Sequence, residues 1–173
     1  SVIKTQQKNL SHGCTSRSQS IQGSLQLGII LGFQRSVKDF GCGFYLSPDR
    51  EQAEKMAAKK AEQIQVETQC ITEYDFDESL MKSDLKVLEF HGYSKEWADF
   101  VLANRRNRTR QNIHDYDIVY GPIADDDVGL LIRKLIGGLI DSDYFLQELK
   151  FKKGITYQYF FATEKSISCL KRI

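Results

Sequence analysis

The chain is poor in features that would span a membrane, hold a metal or cradle a phosphate. No run of about 18 apolar residues occurs, so nothing reads as a membrane-spanning helix. The cysteines Cys14, Cys42, Cys70 and Cys169 show no paired metal-knuckle spacing, and no His stands near a second ligand at a useful interval. The first three are evenly spaced, but their flanks share nothing, so they do not mark a repeat. All four read as reduced thiols of a cytosolic protein. Neither GxxxxGK nor GxGxxG is present, which leaves P-loop and Rossmann readings without support. Charge of one sign is missing too: 24 Lys and Arg against 23 Asp and Glu leave a net charge of +1. Overall charge therefore points to neither nucleic acid nor membrane. Residues 1–8 hold no apolar segment of the kind a signal peptide needs, and a cytoplasmic protein is the expectation. The first nine residues read as a flexible N-terminus. The opening Ser1, in place of a Met, is compatible with a longer parent chain.

What is present suits a globular protein. The sequence has 173 residues, 41% hydrophobic and 11% aromatic, and reads as a single domain over 1–173. A domain of this size buries roughly 70% of its unfolded surface and needs no disulfide or metal to hold together.

Residues 15–26, rich in Ser and Gln, read as loop. Leu27 to Phe33 reads equally as strand, helix or packed loop. Ser47-Pro48-Asp49 starts a helix, with Ser at the cap and Pro at the first helical position. The helix runs from Asp49 to Gln65, with Ala53, Met56, Ala57, Ala61 and Ile64 as its apolar stripe. Val66 to Phe76 reads as a strand with Val66, Cys70 or Ile71, Tyr74 and Phe76 inward. Asp77 to Phe90 reads as helix, stopped by His91-Gly92. Ser94 caps a helix whose inner face holds Trp97, Phe100, Val101 and Asn104. Asp115 to Tyr120 is a strand ending at Gly121-Pro122. Helices follow at Val128 to Ile136 and Asp141 to Lys150, with Gly137-Gly138 as the break. A strand over Thr156 to Phe161 and a short helix over Thr163 to Leu170 complete the pattern. Short strands alternating with helices, with strands late in the chain, predict an α+β fold.

Three segments carry candidate chemistry. His12-Gly13 offers an imidazole beside an exposed backbone. In Asp39-Phe40-Gly41-Cys42-Gly43-Phe44-Tyr45-Leu46, two glycines would let backbone approach something flat or charged, and Tyr45 is placed to stack a planar ring. Cys42 lies in this turn, where it could face a pocket. Gln158 is the one polar residue in the aromatic strand Tyr157–Phe161. Each segment also has a plain structural reading: a turn, a buried aromatic strand and a core strand.

Arg105, Arg106, Arg108 and Arg110 could meet phosphates or a nucleic-acid substrate, or could complement the dipole of a helix C-terminus. Asp125-Asp126-Asp127 opens a helix, where capping and the dipole account for it, since three consecutive carboxylates cannot face one ion; no metal is read here. His91 reads as part of a helix stop and His114 as exposed.

Taken in order, these segments resemble the ADP-ribosyltransferase superfamily. Its members carry an early His, a Gly-x-Tyr-aliphatic-Ser segment leading into a helix, and a Glu or substitute on a late strand. The chain is most similar to a bacterial family of uncharacterised function whose hallmark is Asp-Phe-Gly-x-Gly-Phe-Tyr-Leu. Further matches are Gln52-Ala53, Trp97 with Phe100-Val101, Asn104-Arg105, Tyr116 to Val119, Gly121 to Asp126, and Thr163-Glu164-Lys165. The resemblance runs from about Leu10 to Leu170.

It implies two small packed β-sheets with flanking helices around an NAD cleft. It also implies mono-ADP-ribosyl transfer, with release of nicotinamide, to a protein or nucleic-acid acceptor. His12 would bond a ribose hydroxyl, the Gly13 backbone would hold the carboxamide, and Tyr45 would stack on nicotinamide. Gln158 would contact the ribose, and Gly43, Phe44, Gln52 and Arg105 would complete the NAD site. A toxin with a neutralising antitoxin partner is part of the same implication. Gln158 departs from the usual Glu: it orients a hydroxyl but supplies neither charge nor base. That argues against polymer formation and for single transfer, or for a carboxylate from elsewhere, such as Asp125 or Glu164. A catalytically weak NAD or ADP-ribose binding module and an NAD glycohydrolase are the alternatives.

Overall fold

Two β-sheets of unequal size organise the computed structural model, which describes residues 2–5, 38–63, 65, 71–109 and 111–173. The smaller sheet holds β1 (Val2–Thr5), β3 (Ile71–Asp75) and β7 (Lys171–Arg172) in the order β1-β3-β7, antiparallel throughout. The larger holds β2 (Phe44–Leu46), β6 (Tyr157–Phe161), β5 (Ile118–Pro122) and β4 (Val87–Glu89) in the order β2-β6-β5-β4. Its β4–β5 pair is parallel and the others antiparallel.

Strand alternation assigns the two faces of the larger sheet different tasks. Phe44, Leu46, Ile118, Tyr159 and Phe161 pack with Tyr74 of the smaller sheet. Val119 and Phe160 face the opposite way, into a core with Phe40, Trp97, Val101, Val128, Ile132 and Phe145. Those partners come largely from α2 (Lys95–Arg106), α3 (Asp126–Ile136) and α4 (Ser142–Lys150). The layers are thus small sheet, large sheet and helices. Helix α1 (Arg50–Gln63) lies against β1 and β3. The α+β expectation with two small sheets holds.

Local capping explains where the helices begin. The side chains of Ser94, Asp125 and Asp141 accept the N–H of Trp97, Val128 and Tyr144. Gly138, at φ +70°, follows α3 in a conformation that suits glycine. The start of α1 differs from expectation: Asp49, not Ser47, caps it, accepting the N–H of Glu51 at 2.9 Å. Ser47 instead bonds the backbone of Asp49. Ala53, Ala57 and Ala61 are buried as predicted, whereas Met56 is exposed. In β3 the buried pair is Thr72 and Tyr74.

Three expectations are corrected. Residues 77–90 are not one helix. A 3-10 turn spans Glu78–Lys82, and the chain then enters β4. The Ser83 backbone and hydroxyl close that turn on the Leu80 carbonyl, and parallel pairing with β5 satisfies the backbone that follows. His91-Gly92 therefore follows a strand. The N-terminus, expected as a flexible extension, contributes Val2–Thr5 to the smaller sheet. Residues 15–33 and 66–70, with their predicted elements, lie outside the described residues.

Candidate functional site

The Asp39–Tyr45 segment is a turn fixed from several directions. Lys38 and Gly41 exchange backbone hydrogen bonds, both of 3.3 Å. Gly41 has φ +117°, open to glycine alone without strain, and the space of a Cβ there is taken by the Asn112 side-chain oxygen. Asn112 holds Cys42 at both ends: its Oδ1 accepts the Cys42 N–H at 2.7 Å and its Nδ2 donates to the Cys42 carbonyl at 3.1 Å. His114 Nε2 lies 2.8 Å from the Phe40 carbonyl oxygen, and its ring packs near Phe100 and Phe160. Half-buried His114 thus belongs to the turn, contrary to the exposed position expected.

Tyr45 closes the turn from within. Its hydroxyl donates to the Gly41 carbonyl at 2.9 Å and accepts the Phe40 N–H at 3.0 Å. Burial pushes its pKa well above the ordinary value; the Phe40 N–H opposes this and the Asp39 charge adds to it. The phenol is therefore protonated at neutral pH. Its ring sits 4.8 Å from Phe160, and Lys38 Nζ lies 5.3 Å from the ring centroid, within cation–π range. The flat object that Gly43 admits is Phe160: a Cβ at Gly43 would overlap that ring and come within 2.7 Å of the Phe161 carbonyl oxygen.

Asp39 is the polar centre of the site. It is 6% exposed. Its Oδ1 accepts Arg105 Nε at 2.8 Å and Nη2 at 2.5 Å. Its Oδ2 accepts the Ala124 N–H at 3.2 Å and Gln158 Nε2 at 3.4 Å. One carboxylate thus joins the turn to the end of α2, the approach to α3, and β6. Beside it, the Tyr93 hydroxyl donates to the Ile123 carbonyl at 2.9 Å. Burial raises the Tyr93 pKa, as do the charges of Asp125 and Asp39. A depression of about 460 Å³ adjoins Tyr93, lined also by Leu88, Phe90, His91 and Glu96.

The fold unites some predicted residues and separates others. Tyr45, Gln158 and Arg105 converge on the helix-facing side of the larger sheet. Phe44 points the other way and is buried against Tyr74, with ring centroids 5.6 Å apart. Gln52 is carried by α1, beside the smaller sheet, its N–H 3.4 Å from Asp49 Oδ1. Asp125 caps α3, and exposed Glu164 lies in the first turn of α5 (Glu164–Ile167). Asp126 and Asp127 pair with different lysines, Lys59 and Lys152. Arg106 occupies the last turn of α2, as the dipole reading expected, and Arg105 in the same turn pairs with Asp39; Arg108 lies beyond the helix end and Arg110 outside the described residues. His12 and Gly13 lie outside the described residues. Asp39, Asn112 and His114 were given no site role from the sequence; the place of Asp39 at the head of a conspicuous motif was the available signal.

A family model described as a protein of unknown function (DUF3990) matches residues 27–172. The chain belongs to that family. No curated protein and no solved structure matches it. The DUF3990 match takes in the Asp39–Tyr45 turn, Arg105 and Gln158 and begins after His12-Gly13. Among the described residues, no group of three or more His, Cys, Asp or Glu is arranged to hold a metal. None of the described helices is long and apolar enough to cross a membrane.

Proposed function

We propose that the protein is an NAD-dependent mono-ADP-ribosyltransferase, of toxin type, that modifies a macromolecule and releases nicotinamide. One observation carries this reading. Tyr45 pairs with Phe160 across the β2–β6 ladder, so Gln158 is its diagonal neighbour on the same face, about 7–8 Å away. An aromatic ring and a hydrogen-bonding amide thereby share one surface, with spacing suited to a ring and its attached ribose.

The chemistry asked of this surface is modest. Nicotinamide departure leaves an oxocarbenium-like ribose, so the protein must hold the ring, orient the ribose and solvate developing positive charge. The Tyr45 face attracts cations, as the position of Lys38 illustrates, and the nicotinamide ring of NAD is cationic. Gln158 supplies an oxygen acceptor. His12 and Gly13 complete the proposed NAD site, with a ribose hydroxyl and the carboxamide as their respective partners. The ion-paired Arg105 acts as an internal strut in this reading. A neutralising antitoxin is the proposed protein partner.

The test is incubation of the protein with NAD labelled in the adenosine moiety, with and without bacterial lysate. A transferase leaves label on a lysate macromolecule. A glycohydrolase releases nicotinamide without retained label. A non-catalytic NAD-binding module binds the label and releases nothing, and either of these last outcomes overturns the transferase reading.

A further inference from the structure

The departure of the late-strand residue from Glu to Gln raises the question of what Gln158 presents to a substrate. A free primary amide can turn either its oxygen or its nitrogen outward, and only the oxygen can substitute for a carboxylate as an acceptor. Asp39 removes that freedom. Its carboxylate accepts hydrogen bonds and donates none, and its Oδ1 is already held by Arg105. The Oδ2 that faces Gln158 also accepts the Ala124 N–H. Only Nε2 of Gln158 can meet it, and does so at 3.4 Å. The opposite orientation would set the Gln158 oxygen against a carboxylate oxygen at the same distance, two acceptors with no proton between them.

We propose that Asp39 is a positioning residue that locks the Gln158 amide with its nitrogen inward and its oxygen outward, so that Gln158 offers a fixed acceptor where a carboxylate would otherwise stand. The ligand group this acceptor fits is a hydroxyl, and within the transferase reading, on which this step rests, it is a ribose hydroxyl of NAD. The negative charge behind the amide also polarises it, enriching its oxygen and strengthening the bond it accepts. Arg105 keeps the carboxylate oriented and partly balances its charge; Tyr45 and Tyr93, both with pKa values that the Asp39 charge helps to raise, also lie nearby, as do Cys42 and Asp125. Asp39, rather than Asp125 or Glu164, is then the carboxylate that serves the late strand. It acts through Gln158 and does not touch the substrate.

The lock is tested without NAD by the side-chain amide resonances of Gln158 in the full chain, identified by their loss in Gln158→Leu. A lock gives slowed solvent exchange of the Nε2 protons in the wild type, and faster exchange in Asp39→Asn. Equal exchange in both proteins overturns the inference. Should Asp39→Asn fail to fold, Gln158→Glu decides: it places a second carboxylate against Asp39, so the variant should melt below the wild type near neutral pH and match it in acid. A variant as stable as the wild type at neutral pH overturns the inference. Locked resonances in a protein that never releases nicotinamide would leave the positioning role standing and remove the transferase reading. Conversely, if turnover is present, Asp39→Asn should lower kcat at least tenfold with little change in KM; an unchanged kcat overturns the role.

Discussion

The Tyr45 hydroxyl joins two roles that sequence reading keeps separate. As a ring, Tyr45 is the proposed stacking surface; as a phenol, it is the internal tie of a tight turn. The second role was invisible in the sequence, because the hydroxyl bonds backbone groups four and five residues earlier. Gly43 was legible as a close-approach glycine, but the neighbour proved to be Phe160, itself an intact part of the core. The tie has a measurable consequence. Tyr45→Phe leaves the Phe40 N–H without its acceptor and removes one of the two bonds to the Gly41 carbonyl, which keeps the Lys38 N–H; it should destabilise the protein by about 1–2 kcal/mol in denaturant unfolding. The folded-state pKa of Tyr45 is raised above 10.0, so its contribution is complete below the ordinary tyrosine pKa and is lost as pH rises through the folded value. Tyr45→Phe should accordingly flatten the alkaline decline in stability, which a melting series across that range reads directly.

Among the elements, those with their own start and stop signals were legible. Ser94, Asp125 and Asp141 each cap the helix they were expected to open. The segment after Asp77 was not legible, because its outcome depends on a partner 31 residues away. Lys86 donates its N–H to Asp117 Oδ2 at 2.9 Å and accepts the Asp117 N–H at 2.7 Å, which sets β4 alongside β5. Asp117 Oδ1 also accepts the Thr163 hydroxyl at 2.6 Å, tying the entry of α5 to the same point. Partial burial works against the charged form of Asp117, yet the Thr163 and Lys86 bonds prevail and lower its pKa. Its contribution is therefore complete above the ordinary aspartate value of 3.8 and fades as pH falls through the folded one. Asp117→Ala should lose about 2 kcal/mol near neutral pH and less in acid, where the wild type has already lost the same bonds. Chemical denaturation at two pH values tests both parts.

On the scale of the whole molecule, the layered order of small sheet, large sheet and helices gives the candidate site its place. It occupies the helix-facing side of the larger sheet, where the central turn, the end of α2, the approach to α3 and β6 meet at Asp39. That convergence could not be read from spacing, since the partners lie 66, 85 and 119 residues from Asp39. Tyr45 and Gln158 were legible as candidates, and their shared face follows from strand register. A buried aromatic strand was one reading of the Phe44 segment, but which face Phe44 takes was not legible, because alternation has no sign until the partner layers are known.

The central claim is that this shared face binds NAD and promotes loss of nicotinamide. The most direct measurement is nicotinamide release from NAD by the wild-type protein and by Tyr45→Ala, with both shown to be folded. The account predicts release by the wild type and a loss of at least a hundredfold in Tyr45→Ala. Release that survives intact in Tyr45→Ala, or its absence from the wild type in the presence of acceptor lysate, would contradict it.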